Sequence, residues 1–244
     1  MTSETISIAA TEKSFTAHLV RPEGASKGAL IVIHEIWGLN PHTKDVAERF
    51  AAQGYLTLAP DLLSGTEVDG KVDATITRRL QDPATRDEAQ KEMRAALAPM
   101  QHPAFSQEVM TKLAACFAFL YAETEHIGVI GYCFGGTYSF ARAVAEPRLK
   151  VALPYYGHAE QNVGELKKIT CPVYAFYGEQ DHGLVDALPN LEKRMQEAGV
   201  SFKATVYPNC GHAFFNDTNP NMYNQAAATD AWEQTLSLLH DCLS

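Results

Sequence analysis

The chain has 244 residues, 46% hydrophobic and 20% charged, and its twenty basic against twenty-nine acidic residues leave a formal charge of −9. That length suits one α/β domain, spanning 1–244, with a substantial core. No segment reaches the roughly 18–20 uninterrupted apolar residues of a membrane span, and the negative field repels phosphate backbones and anionic headgroups. Nucleic acid and membrane are therefore not expected partners, which leaves a small-molecule substrate and a monomer or small homo-oligomer.

Met1 to Ala10 has no basic start, apolar core or small-residue cleavage site, so the expected compartment is cytoplasmic. Five cysteines (Cys116, Cys133, Cys171, Cys210, Cys242) form neither an even set nor a CxxC pair. That usage argues against a disulfide framework and a structural zinc site, and it fits a reducing compartment.

In chain order, Thr5–Ile8 and Phe15–Val20 alternate apolar and polar residues loosely, as half-exposed antiparallel strands at a sheet edge do. Ala29–Ile33 is a continuous run of β-forming residues, suited to a strand buried on both faces. Asn40-Pro41 opens a helix, with Asn as cap and Pro at the first helical position. The helix runs to about Gln53, where Gly54 supplies a left-handed stop before the strand Tyr55–Ala59. Residues 64–103 turn polar and charged, helical around Asp87–Leu97, and read as an excursion over the top of the sheet.

Ser106–Ala122 carries Val109, Leu113, Cys116, Phe117 and Leu120 at helical spacing, and Ile127–Ile130 is a short buried strand. Helix Gly135–Ala145, strand Val151–Tyr155, strand Pro172–Tyr177, helix Leu188–Ala198, strand Phe202–Tyr207 and a last helix, Tyr223–Leu239, complete the chain. This alternation predicts a mostly parallel sheet covered by helices on both faces, with ligands at the carboxyl ends of the strands.

Gly131-Tyr132-Cys133-Phe134-Gly135-Gly136 lies between a buried strand and a helix, the context of a nucleophile elbow. Small flanking residues relieve clashes in so sharp a turn. The start of the following helix favours negative charge on a nucleophile there, and a paired histidine can take its proton. A buried, inert cysteine in a glycine-rich turn is the bland alternative. Acid and histidine follow in the order this arrangement uses: Asp181 after strand Pro172–Tyr177, and His212 after strand Phe202–Tyr207. Asp181 would orient His212, leaving the other ring nitrogen for Cys133. Glu179 and Asp186 compete for the acid's place, and His158 and His182 for the base's.

His34-Glu35-Ile36-Trp37-Gly38 follows the central strand. The loop there donates one backbone N–H to an oxyanion hole, with Ile36 the candidate, and the residue after the nucleophile, Phe134, donates the second. Glu35 is either a loop brace or a carboxylate near Cys133 that helps control the thiol's proton. Trp37, Tyr177, Phe214 and Phe215 lie beside these positions and are candidates to line an apolar pocket, or else core.

Together with Gly211-His212-x-Phe214, these motifs closely resemble the dienelactone hydrolase (carboxymethylenebutenolidase) family over nearly the whole chain. The resemblance implies an α/β-hydrolase fold, a Cys133–Asp181–His212 triad, a Glu35 that interacts with the resting thiol, hydrolysis of an ester or lactone, and no metal or organic cofactor. It also implies an arginine four residues after the histidine and another in the helical excursion, binding the substrate's carboxylate. Here the first position is Asn216, taken as a substrate-binding position, and Arg78, Arg79, Arg86 or Arg94 could supply the second.

Two other readings compete. A Cys-His-Glu glutaminase places its acid two residues after the histidine, where this chain has Phe214. A non-catalytic binding protein or thiol sensor on the same scaffold usually lacks part of the triad, whereas all three residue types are present here.

Overall fold

The computed structural model describes residues 1–11, 13–72 and 74–243. Eight strands form one sheet: β1 (Thr2–Ala10), β2 (Lys13–Arg21), β3 (Ala29–Ile33), β4 (Leu56–Pro60), β5 (Ile127–Tyr132), β6 (Val151–Tyr155), β7 (Val173–Gly178) and β8 (Phe202–Tyr207), in the order β1-β2-β4-β3-β5-β6-β7-β8. β1 pairs with β2 and β2 with β4 in antiparallel fashion, and the other pairings are parallel. Every residue of β3, β4, β5 and β6 is buried, as their uninterrupted apolar runs predict.

Nine α-helices accompany the sheet among the described residues: α1 (Pro41–Ala52), α2 (Ala74–Gln81), α3 (Arg86–Leu97), α4 (Pro103–Tyr121), α5 (Phe134–Ala145), α6 (Val163–Leu166), α7 (His182–Val185), α8 (Leu188–Ala198) and α9 (Gln225–Leu243). They cover both faces: α1 meets α9 through Phe50 and Trp232, whose rings are 4.5 Å apart, and α4 packs against α5. This is the α/β-hydrolase arrangement.

Register determines where the loops emerge. β3 and β5 run side by side from Ala29 opposite Ile127 to Ile33 opposite Gly131. The loop after β3 and the turn after β5 therefore leave the sheet at one level, with Ile36 and Phe134 each three residues past a paired position. β7 and β8 end together at Gly178 opposite Tyr207, so the loops carrying Asp181 and His212 also start level.

Several expectations shift. Of the two N-terminal strands only β1 is at the edge; β2 lies between β1 and β4 and buries most of its second half. The excursion holds α2, α3 and a 3₁₀ turn at Ala98–Gln101, and α4 begins at Pro103 rather than Ser106. His102 causes that earlier start: its Nδ1 accepts from the Ala104 N–H at 3.2 Å, a cap outside the usual Ser, Thr, Asp and Asn set. Helices α6 and α7 have four residues each, too short for a periodic signal.

At α1 the expected cap is present: the Asn40 side-chain oxygen accepts from the Thr43 N–H at 3.0 Å and from its hydroxyl at 3.2 Å. Asn40→Ala is expected to lower stability by about 1 kcal/mol. Urea unfolding should show a lower midpoint with an unchanged m value.

Candidate active site

β5 ends at Tyr132 and α5 begins at Phe134, so Cys133 alone turns the chain, with φ +56° and ψ −112°. Such a backbone costs a non-glycine residue on the order of 1–3 kcal/mol and persists only where its surroundings hold it. The Cys133 N–H donates to the Tyr155 carbonyl at 3.0 Å, and its own carbonyl accepts from the Thr137 N–H at 3.1 Å. Two glycines make the turn possible: a Cβ on Gly131 would lie 2.1 Å from the Gly135 carbonyl oxygen, and one on Gly135 would lie 2.4 Å from that of Ile33. The sulfur-bearing residue is only half-buried and so remains reachable.

Asp181 precedes α7 just beyond β7, and His212 lies in the loop beyond β8. The His212 Nδ1–H donates to Asp181 Oδ2 at 2.5 Å, and the Cys133 side chain lies near enough to favour a proton on the ring. The two loops brace each other: the Gln180 N–H donates to the Cys210 carbonyl at 2.8 Å, and the Asn209 N–H donates to Glu179 Oε2 at 2.9 Å. Asn209 and Ala213, flanking the histidine, are themselves left-handed at φ +58° and +60°. Burial disfavours charge on His212, but the interactions with Asp181 and Cys133 outweigh it and hold the imidazole at about 10, far above its ordinary range.

Glu35 is 3% exposed, an uncommon place for a carboxylate. Its Oε2 accepts from Asn216 Nδ2 at 2.6 Å, and its Oε1 accepts from the Tyr156 hydroxyl at 3.5 Å. Burial raises its pKa, opposed by the Asn216 bond, the charge of His212 and the Tyr156 bond. The hydrogen bonds to its two oxygens thus come from an amide and a phenol, and the carboxylate interacts electrostatically with His212 rather than being hydrogen-bonded to the thiol.

Among the described residues, the N–H groups of Ile36 and Phe134 donate to no protein acceptor. The Phe134 amide is the first of α5, where no intrahelical partner exists. Two free donors therefore flank the elbow.

Three pocket assignments need correction. Phe214 is fully buried between Tyr155, Tyr156 and Tyr207 and offers no surface to a ligand. Tyr177, 1% exposed, donates its hydroxyl to the Gly157 carbonyl and is core as well. Asn216, 5% exposed, gives its amide to Glu35 instead of to a substrate. Phe215 likewise stacks inside, 5.2 Å from Tyr132. Trp37 remains half-buried, on a cavity of about 220 Å³ lined with Ile36, Leu39, Leu63, Val68 and Leu97.

The rivals have other employment or none here. Glu179 braces the histidine loop, and the side chains of His158 and His182 belong to exposed residues. Arg79 pairs with Glu88 and Glu92, Arg86 and Arg94 donate to the Leu80 and Gln90 carbonyls, and Arg78 is exposed. Burial pushes the thiols of Cys116, Cys171, Cys210 and Cys242 up, which disfavours their thiolate forms. Sequence reading missed Tyr156. It sits one residue past β6 at φ +39°, its ring 4.9 Å from that of His212. The available signal was its position, just beyond the carboxyl end of a central strand, as for the other site residues.

Comparison with known proteins gives the family and the fold. The sequence profile of the dienelactone hydrolase family matches residues 15–243. A protein of Saccharolobus solfataricus named "putative carboxymethylenebutenolidase" is 31% identical over 241 residues, covering 91% of this chain and 92% of its own. Two solved structures are similar in fold. One is a dienelactone hydrolase-like promiscuous phosphotriesterase from metagenomic libraries (TM-score 0.78, 18% identity, 100% of this chain and 99% of that one). The other is the dienelactone hydrolase of Anabaena variabilis (TM-score 0.70, 18% identity, 100% and 99%). A match over nearly the full chain, on a fold that sets Cys133, Asp181 and His212 together, identifies the chain as a member of the dienelactone hydrolase family and a carboxymethylenebutenolidase-like hydrolase.

Proposed function

We propose that the chain hydrolyses carboxylic esters or lactones through a thioester on Cys133. The observation that carries this reading is the half-buried cysteine on a strained elbow, beside a histidine whose ring is hydrogen-bonded to Asp181. Cys133 Sγ attacks the carbonyl carbon after its proton passes to His212, and Asp181 holds the ring and stabilises the imidazolium. The carbonyl oxygen, now an anion, takes the N–H groups of Ile36 and Phe134. The C–O bond then breaks, and the leaving alkoxide receives the proton from His212. A water next gives a proton to His212 and attacks the thioester, the C–S bond breaks, and the acid departs. For a lactone the alcohol and acid are one molecule.

The preferred substrate lacks a free carboxylate. Asn216 and Tyr156 satisfy the buried Glu35 without supplying a positive charge, and Arg49 is taken up by Asp45 and Asp217. An anionic group entering here would face the Glu35 carboxyl, and the one nearby positive charge, on His212, is already paired with Asp181.

Cys133→Ala should abolish turnover of p-nitrophenyl acetate while leaving the unfolding transition intact; retained turnover sinks the mechanism. Asn216→Arg, which sets a positive charge against Glu35, should raise kcat/KM for a p-nitrophenyl hemiester of a dicarboxylic acid about threefold or more relative to p-nitrophenyl butyrate, through the local field rather than direct contact. An unchanged ratio would show that residue 216 does not select on charge. Because the folded His212 pKa lies above its unfolded value, its stabilising contribution is complete below about pH 6.5. It is lost as pH rises toward about 10. Wild type should therefore lose stability across that window more steeply than His212→Gln, as measured by urea unfolding at fixed salt.

A further inference from the structure

His34 is fully buried, and both ring nitrogens are engaged. Nδ1 lies 2.5 Å from the carbonyl oxygen of Glu35, and Nε2 lies 3.1 Å from the N–H of Leu62. A carbonyl oxygen can only accept and a backbone N–H can only donate. The ring must then be neutral, with its proton on Nδ1. Burial, which lowers its pKa, acts in the same direction.

The partners of this ring matter for the site. The Glu35 carbonyl accepts a second bond from the Gly38 N–H at 3.2 Å. It belongs to the same peptide unit as the N–H of Ile36, and in a planar trans peptide the C=O and N–H point in opposite directions. Holding the carbonyl on one side therefore aims the Ile36 N–H at the other, where it is free. The same imidazole stacks on the ring of Phe134, with centroids 5.6 Å apart and planes 6° from parallel. One side chain thus touches the peptide unit that carries one free amide and the residue that carries the other.

The far end is also anchored. Lys112, 5% exposed on α4, donates its ammonium to the carbonyls of Leu62 at 3.1 Å and Ser64 at 2.8 Å and pairs with Glu108 at 3.2 Å. The segment whose N–H holds Nε2 is itself pinned.

We infer that His34 is a positioning residue that orients the oxyanion-binding peptide, acting as a neutral Nδ1–H ring clamped between the Glu35 carbonyl and the Leu62 amide. The inference rests on the reading of Ile36 as an oxyanion donor. Misaiming that amide is equivalent to losing one donor, which typically lowers kcat by about 10²–10³-fold.

The test separates this role from simple support of the fold. Ester turnover builds an oxyanion, whereas alkylation of Cys133 by iodoacetamide displaces iodide at an sp³ carbon and builds none. His34→Leu should lower kcat for p-nitrophenyl acetate about 10²-fold with KM within about threefold, and the alkylation rate of Cys133 should be unchanged. His34→Asn, whose amide can replace the Nδ1–H donor, should recover at least about tenfold of the loss. The inference is overturned if kcat holds in His34→Leu, if alkylation falls in step with turnover, or if Asn is no better than Leu. Long-range ¹H–¹⁵N NMR of the wild-type histidines, which needs no variant to fold, should show His34 as the neutral Nδ1–H form at pH 7; an Nε2–H or doubly protonated ring refutes the clamp. Activity retained in Cys133→Ala would instead sink the proposed reaction and leave the NMR result standing.

Discussion

The site depends on how closely the first turn of α5 approaches the carboxyl end of β3. Gly135 lies against the Ile33 carbonyl at a distance no Cβ could tolerate, and Gly131 lies equally close to Gly135. That contact lets the elbow and the loop after β3 share one edge of the sheet, and the register of Ile33 opposite Gly131 keeps them level. The left-handed backbone of Cys133 is the cost, sustained by the bonds to Tyr155 and Thr137. Without this approach, the free amides of Ile36 and Phe134 would belong to separate parts of the surface.

Charge is distributed around the elbow by partnership. A second proton on the His212 ring is favoured because Asp181 accepts from one nitrogen and the Cys133 side chain lies nearby. Glu35 is buried with an amide and a phenol as partners, which satisfy its oxygens without adding a charge. His34 stays neutral because its neighbours demand one donor and one acceptor. Three ionisable side chains within one short stretch of surface are thus held in different states by what each one touches.

The aromatic residues follow a different rule. Tyr155, Tyr177, Phe176 and Phe214 fill the space beneath the loops and support the positive-φ turns at Cys133 and Tyr156 from below. Trp37 alone of the candidate pocket aromatics keeps a partly open face, beside a cavity between the loop after β3 and the excursion. Ring size and proximity in sequence to a site residue do not distinguish lining from foundation, because alternate residues along a strand or loop face opposite ways.

Sequence by itself determined the layered α/β architecture, since short apolar runs such as Ala29–Ile33 and Val151–Tyr155 alternate with longer helical patterns, as strands covered on both faces do. It also determined the elbow and the places of Asp181 and His212, because glycine spacing and position after a strand are local features. Tertiary structure decided the partners. Asn216 meets Glu35 across 181 positions and Tyr156 meets it across 121, and no periodicity connects residues so far apart. It decided too that Phe214 and Tyr177 belong to the core and that the His102 ring caps α4. Short-range pattern encodes which elements form and which residues end them; which way each side chain faces is settled only when the sheet closes and distant loops are packed together.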